Sequence, residues 1–240
     1  MDTLIKNARV LTLDQNDREY DSADIHIRDG RIHTLGPGIG AGLDLAQTKV
    51  IEARGLLAMP GLVNAHLHSP GNFTRGALDD TPLEVFMLYE VPPLSQKPPS
   101  PRLNYVRTLL GAIEMLKLGI TSVLDDAFYI PVPTPETIDG LMQAYADSGM
   151  RAAVSLDQPN VVEYDKYPYL RDLLPERVRG EMESAPRQTT AALAELYRYF
   201  IQRWHGSGAG RLMAAVSCSA SQRVTIDYSP NCRRSASATI

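Results

Sequence analysis

At 240 residues, with 44% hydrophobic and 22% charged residues, the chain has the composition of a globular protein rather than of a fibre or a disordered segment. Its net charge is −4, from 24 Lys and Arg against 28 Asp and Glu, and neither sign clusters, so the basic stripe that a nucleic acid needs is absent. Two cysteines cannot staple a fold of this size, the N-terminus lacks the apolar stretch of a signal peptide, and no run nears the roughly 18 apolar residues of a membrane span; the expected location is cytoplasmic, with neither nucleic acid nor a membrane as partner.

The first part of the chain, residues 1–59, reads as short strands broken by turn residues. Leu4-Ile5, Ala8-Arg9-Val10 and Leu11-Thr12-Leu13 come first. Ala23-Asp24-Ile25-His26-Ile27 then alternates at period two up to the turn Asp29-Gly30, and Arg31-Ile32-His33-Thr34-Leu35 is the return strand. With Val50-Ile51 and Leu56-Leu57-Ala58-Met59, these strands predict the N-terminal portion of a β-sandwich.

From Pro60 the rhythm changes, and residues 60–228 read as strands alternating with helices. Leu62 to Ala65 is an apolar strand running into His66-Leu67-His68. The segment Ser69–Ser100 is too long for a plain connector and predicts a lid or a pocket wall. Helices are expected over Pro101–Leu118, Pro135–Ser148 and Pro186–Trp204, with strands at Ile120–Leu124, Arg151–Leu156 and Arg211–Val216. A tyrosine-rich loop with Tyr164, Tyr167 and Tyr169 follows the third strand and reads as packing. Such βαβ spacing predicts a parallel sheet, either an α/β barrel or an open doubly wound sheet. Residues 229–240 show neither helical nor strand periodicity and read as a tail that is not native-looking.

His66 and His68 carry the chemistry. Side chains two apart on a strand end point the same way, so two imidazoles face one point while Leu67 faces away. Nitrogen donors at about 2 Å suit Zn2+ or Fe2+, though a catalytic site needs about one more protein ligand. The pair also follows an apolar strand, at the end where barrel enzymes keep catalytic groups. His26, His33 and His205 read as solvated or structural. No phosphate-binding glycine loop, dinucleotide fingerprint or cytidine-deaminase cysteine pattern is present.

Pro60-Gly61-Leu62-Val63-Asn64-Ala65-His66-Leu67-His68, preceded by the Asp29-Gly30-Arg31-Ile32 hairpin, resembles the amidohydrolase superfamily. It is most similar to the branch of chlorotriazine hydrolases, guanine and 8-oxoguanine deaminases and adenosine-type deaminases. Thr74-Arg75-Gly76, Asp79-Asp80, Pro82-Leu83-Glu84, Leu118 to Val123 and the Cys218-Ser219 loop share that likeness, which covers residues 3 to 228.

The resemblance implies an incomplete TIM-type (β/α)8 barrel holding strands one to four. It also implies a metal-dependent hydrolase that cleaves a carbon–nitrogen (or carbon–chlorine) bond of an amidine-like nitrogen heterocycle. His66 and His68 would be metal ligands. The absence of a lysine on Arg211–Val216 implies a single metal, Zn2+ with Fe2+ as the other possibility. Asn72, Phe86 and Gln222 are candidate substrate-binding residues. Phe86 and Ser95 stand where adenosine-type members carry Trp and Glu, which favours a free heterocycle over a nucleoside. The family's remaining groups, a His and Glu on strand five, a His on strand six and an Asp on strand eight, have no counterpart here, so no catalytic residue is assigned. The expectation is therefore a truncated chain, inactive alone, from a parent that is a homo-oligomer; a remnant without function and a metal-binding interaction module are the alternatives.

Overall fold

A computed structural model describes residues 2–90, 98–129, 131–161, 169–184, 186–218 and 220–228. The expected tail at 229–240, together with Ser95, Tyr164, Tyr167 and Cys232, lies outside the described residues. Two compact units divide the chain, Met1–Gly61 and Leu62–Ile240.

The first unit holds one mixed sheet. β1 (Asp2–Leu11) pairs antiparallel with β2 (Glu19–Arg28), which pairs antiparallel with β3 (Arg31–Gly36). β4 (Thr48–Glu52) and β5 (Leu57–Ala58) both run parallel to β1. The short strands expected from Leu4 to Leu11 are one long β1 whose pairing with β2 shifts register between Ile5 and Val10, and Thr12 and Leu13 lie beyond its end. Asp29 and Gly30 both take positive φ, 51° and 72°, which is why this dipeptide closes the β2–β3 hairpin. Ala8, Val10, Ala23, Ile25 and Ala53 form the core. A sandwich's second sheet is not among the described residues of this unit.

The second unit is a four-stranded, wholly parallel sheet in the order β6-β7-β8-β9. β6 is Leu62–Leu67, β7 Ile120–Phe128, β8 Arg151–Asp157 and β9 Leu212–Ala214. Between β6 and β7 lie α1 (Leu83–Glu90) and α2 (Pro101–Lys117). α3 (Pro135–Ser148) connects β7 to β8, and α4 (Leu170–Leu173), α5 (Glu176–Ser184) and α6 (Thr190–Trp204) precede β9.

Local chemistry fixes the helix ends. The Ser100 hydroxyl accepts the Leu103 N–H with Pro101 in the first turn, and Thr134 and Thr137 make a reciprocal cap ahead of α3, which Gly149 ends at φ 76°. The third long helix begins at Thr190, not near Pro186, because the Thr189 side chain accepts the Ala192 N–H. β9 is shorter than its apolar run, although the Ala215 N–H still donates to the Val154 carbonyl at 2.7 Å.

The core sits between the sheet and its helices. Val123, Ala127, Val154, Leu156 and Leu212 meet Ile138, Leu141, Met142 and Tyr145 of α3 and Leu193, Tyr197, Phe200 and Trp204 of α6. Burying such side chains contributes roughly 1.5–3 kcal/mol each. From Val123 on, odd positions of β7 face this core, so Asp126 and Phe128 belong to the opposite face, in register with Ser155 and Asp157 of β8.

Candidate metal centre and cleft

β6 delivers His66 and His68 side by side. Their ring centroids are 4.7 Å apart at 87°, while Leu67 packs into the core. The His68 Nδ1 lies 2.5 Å from the main-chain carbonyl oxygen of Asp126. A carbonyl only accepts, so Nδ1 carries the proton and Nε2 keeps its lone pair, the tautomer that a metal ligand needs. His66 is exposed, and its N–H donates to the Asn64 side-chain oxygen at 3.2 Å.

Asp125 secures the backbone behind the pair. Fully buried, its carboxylate accepts the Ser69 N–H at 2.9 Å and the Tyr145 hydroxyl at 2.8 Å. Burial pushes its carboxyl above the ordinary range, opposed by those two hydrogen bonds. Asp126 is engaged differently. Its carboxylate accepts the Ser155 hydroxyl at 2.6 Å and the Ser217 hydroxyl at 3.2 Å, which links β7 to β8 and to the segment that follows β9. Among the described residues no group of three His, Cys, Asp or Glu could hold a metal ion. The donor set is thus two imidazoles, one of them with its tautomer fixed.

Beside His68 opens a cleft of about 600 Å³. Leu67, Phe86 and Phe128 give it apolar walls, and Asn72, Asp157 and Arg223 add polar ones. Phe128 lies 6.1 Å from His68, ring to ring.

The other sequence-stipulated residues fall unevenly on this site. Phe86, on α1, lines the cleft. Asn72 lines it too, but its side-chain amide is already used: it donates to the Arg107 carbonyl at 3.0 Å. A Cβ on Gly111 would come within 2.3 Å of that amide, so this glycine lets α2 approach the turn that follows His68. Gln222 is exposed and is not part of the cleft wall, whereas its neighbour Arg223 is. Asp126, Phe128 and Asp157 were missed. The usable signal was position, since each lies within the last three residues of a parallel strand, on the face opposite the core.

The remaining histidines are engaged elsewhere. His26 is buried, its Nε2 2.7 Å from the Asp2 carboxylate, and its ring stands edge-on to His33 at 5.4 Å. His205 caps α6, with Nδ1 3.2 Å from the Ala214 carbonyl oxygen. No helix among the described residues is long and apolar enough to cross a membrane.

The chain is similar to several known proteins. A 5-methylthioadenosine/S-adenosylhomocysteine deaminase of Desulforudis audaxviator is 31% identical over 214 residues, 89% of this chain and 41% of that protein. The atrazine chlorohydrolase of Arthrobacter aurescens TC1, solved with zinc, superposes with a TM-score of 0.77 at 22% identity, covering 98% of this chain and 51% of that one. E. coli guanine deaminase superposes at 0.68 and 16% identity, over 98% and 49% of the two chains. The chain spans about a third to two fifths of the length of the curated relatives it matches and about half of these solved chains. Residues 57–228 match the amidohydrolase family, and the chain belongs to that family.

Proposed function

We propose that the second unit is the first half of a (β/α)8 barrel and that it supplies two metal ligands and a substrate-cleft wall to a hydrolase. The bond cleaved is a carbon–nitrogen (or carbon–chlorine) bond at an amidine-like carbon of a nitrogen heterocycle. The observation that carries this reading is the His66–His68 pair, with the His68 Nδ1 proton committed to the Asp126 carbonyl and Nε2 left with its lone pair. Relatives that act on adenosine-type nucleosides, guanine and atrazine support the substrate class.

His66 and His68 would hold one divalent ion, Zn2+ before Fe2+, as the zinc-bearing chlorohydrolase suggests. When bound, such an ion acts as a Lewis acid and makes water a usable nucleophile near neutral pH. The chain's own residues orient and enclose. Asp125 anchors the turn after His68, Asp126 sets its tautomer, and Phe86 and Phe128 wall off water beside it. In the same reading the protein works in the cytoplasm on a small molecule, and the whole protein is a homo-oligomer.

The test pairs zinc uptake with turnover. Chelator competition should find one zinc equivalent lost in His66→Ala and His68→Ala. Ammonia release from guanine or adenosine-type substrates should be undetectable with the 240-residue chain alone. Two imidazoles without a third ligand leave several rate factors of about 10²–10⁴ unsupplied. Chelator-sensitive ammonia release from this chain would overturn the inactivity, and failure to take up zinc would overturn the metal centre. Zinc uptake without turnover also fits a metal-binding module, and turnover after the rest of a barrel is supplied separates the two.

A further inference from the structure

Asp157 lines the cleft and holds an acceptor with no partner among the described residues. It ends β8 beside Phe128 and is only 7% exposed. One carboxylate oxygen, Oδ2, lies 3.4 Å from an Arg223 guanidinium nitrogen; the other, Oδ1, is buried and has no hydrogen-bond partner among the described residues. Leaving a buried carboxylate oxygen unsatisfied is costly, and native proteins keep such atoms mainly where something else completes them. Every other carboxylate on this strand-end face has its partners, since Asp126 takes Ser155 and Ser217.

Three properties of the site narrow what completes Oδ1. It accepts, so the ligand must donate. Arg223 beside it offsets its charge, which disfavours a metal ion or a fully cationic group and suits a neutral N–H. Phe86 and Phe128 line the same cleft, which suits a flat ring.

We propose that Asp157 Oδ1 receives an N–H of the substrate heterocycle and so selects planar rings that carry an amino or lactam N–H. This rests on the hydrolase reading above and names the feature of the substrate that its cleft recognises. Asp157 is thereby a specificity-determining residue.

The probes are 2-aminopyrimidine and pyrimidine, rings of one shape that differ in the N–H donor, titrated by ligand-observed NMR against the 240-residue chain. The expected result is binding of 2-aminopyrimidine about 10- to 100-fold tighter than pyrimidine, the range for a hydrogen bond to a charged group. Asp157→Asn should shrink that ratio several-fold while pyrimidine binding stays put. The wild-type ratio needs no variant, so equal affinities for the two probes overturn the proposal even if Asp157→Asn fails to fold. A ratio unchanged in a folded Asp157→Asn overturns it as well. Zinc titration of the same samples keeps the two readings apart. Probe discrimination without zinc uptake would sink the metal centre and leave Asp157's role standing, whereas zinc uptake without discrimination would do the reverse.

Discussion

Each unit of the molecule contains a pair of histidines meeting edge to face, and the two pairs have different fates. In the first unit His26 and His33 stand 5.4 Å apart at 83°, and the Asp2 carboxylate takes the His26 Nε2. In the second, His66 and His68 stand 4.7 Å apart at 87°, and a main-chain carbonyl takes the His68 Nδ1. Either ring nitrogen can bind a metal while the other donates to an acceptor, so the hydrogen bond alone does not separate the two pairs. Position does: His66 and His68 end a parallel strand, with His68 in the wall of the cleft, whereas His26 is buried within the first unit's sheet against Asp2.

The largest expected effect breaks this comparison outright. His66→Ala and His68→Ala should each weaken zinc binding by at least about 100-fold, the upper end of what losing even an outer partner costs. His26→Ala and His33→Ala should leave it unchanged in the same chelator competition. Equal losses from both pairs would erase the distinction.

The supporting carboxylates differ next. Asp125→Ala strands the Ser69 N–H and the Tyr145 hydroxyl inside the second unit and should cost about 2–4 kcal/mol in urea unfolding. Asp2 is half-buried and Asn would keep an acceptor for His26, so Asp2→Asn should move the urea midpoint far less. A reversal of that ranking would show that burial is not what sets the difference.

Acid sharpens the contrast through opposite signs. The hydrogen bond from His26, then Arg28, holds the Asp2 carboxyl below its ordinary 3.8, and Arg18 holds Asp14 down to about 2. Both bind fewer protons folded than unfolded, so the stability they contribute is present above the unfolded pKa and lost as pH falls through the folded one. Asp125 is raised by burial, so its ionisation opposes folding, and that penalty is relieved as pH falls through its folded pKa. Residue-resolved urea titrations between about pH 2 and 5 should show Asp2→Asn and Asp14→Asn flattening the acid loss of the first unit. Asp125→Asn should abolish the opposing trend in the second.

The smallest effect concerns association. β6 ends the four-stranded sheet, and Val63 on it is 69% exposed. An apolar edge of this kind pairs with other chains. Sedimentation velocity should show concentration-dependent self-association, reduced by Val63→Lys; a monomer at all concentrations would contradict it.

Much of this was legible in the sequence where a local rule sufficed. Asp29-Gly30 announced its hairpin, Gly149 its helix end, and the period-two His66 and His68 their common face. What escaped depended on distant registers or on weak patterns. α5 reads Glu-Arg-Val-Arg-Gly-Glu-Met-Glu-Ser with only Met182 buried, so no apolar stripe revealed it. The Asp126 carbonyl that fixes His68 is 58 residues away and meets it only through the β6–β7 pairing. Gln222 stands one residue short of Arg223, and the 3-10 turn over Ser221–Arg223 sets which of the two side chains lines the cleft. Asp157 looks like any strand-end carboxylate until the fold shows that it lines the cleft and that one of its buried oxygens lacks a partner among the described residues.

Histidine-selective nitrogen NMR during zinc titration tests the central claim most directly, because it reads tautomer and ligation atom by atom. His68 should start as the Nδ1–H tautomer, and one zinc equivalent should shift the Nε2 resonance of His68 and a ring nitrogen of His66 while His26, His33 and His205 stay still. Zinc shifts confined to His26 and His33, or a His68 protonated on Nε2 before zinc is added, would contradict the account.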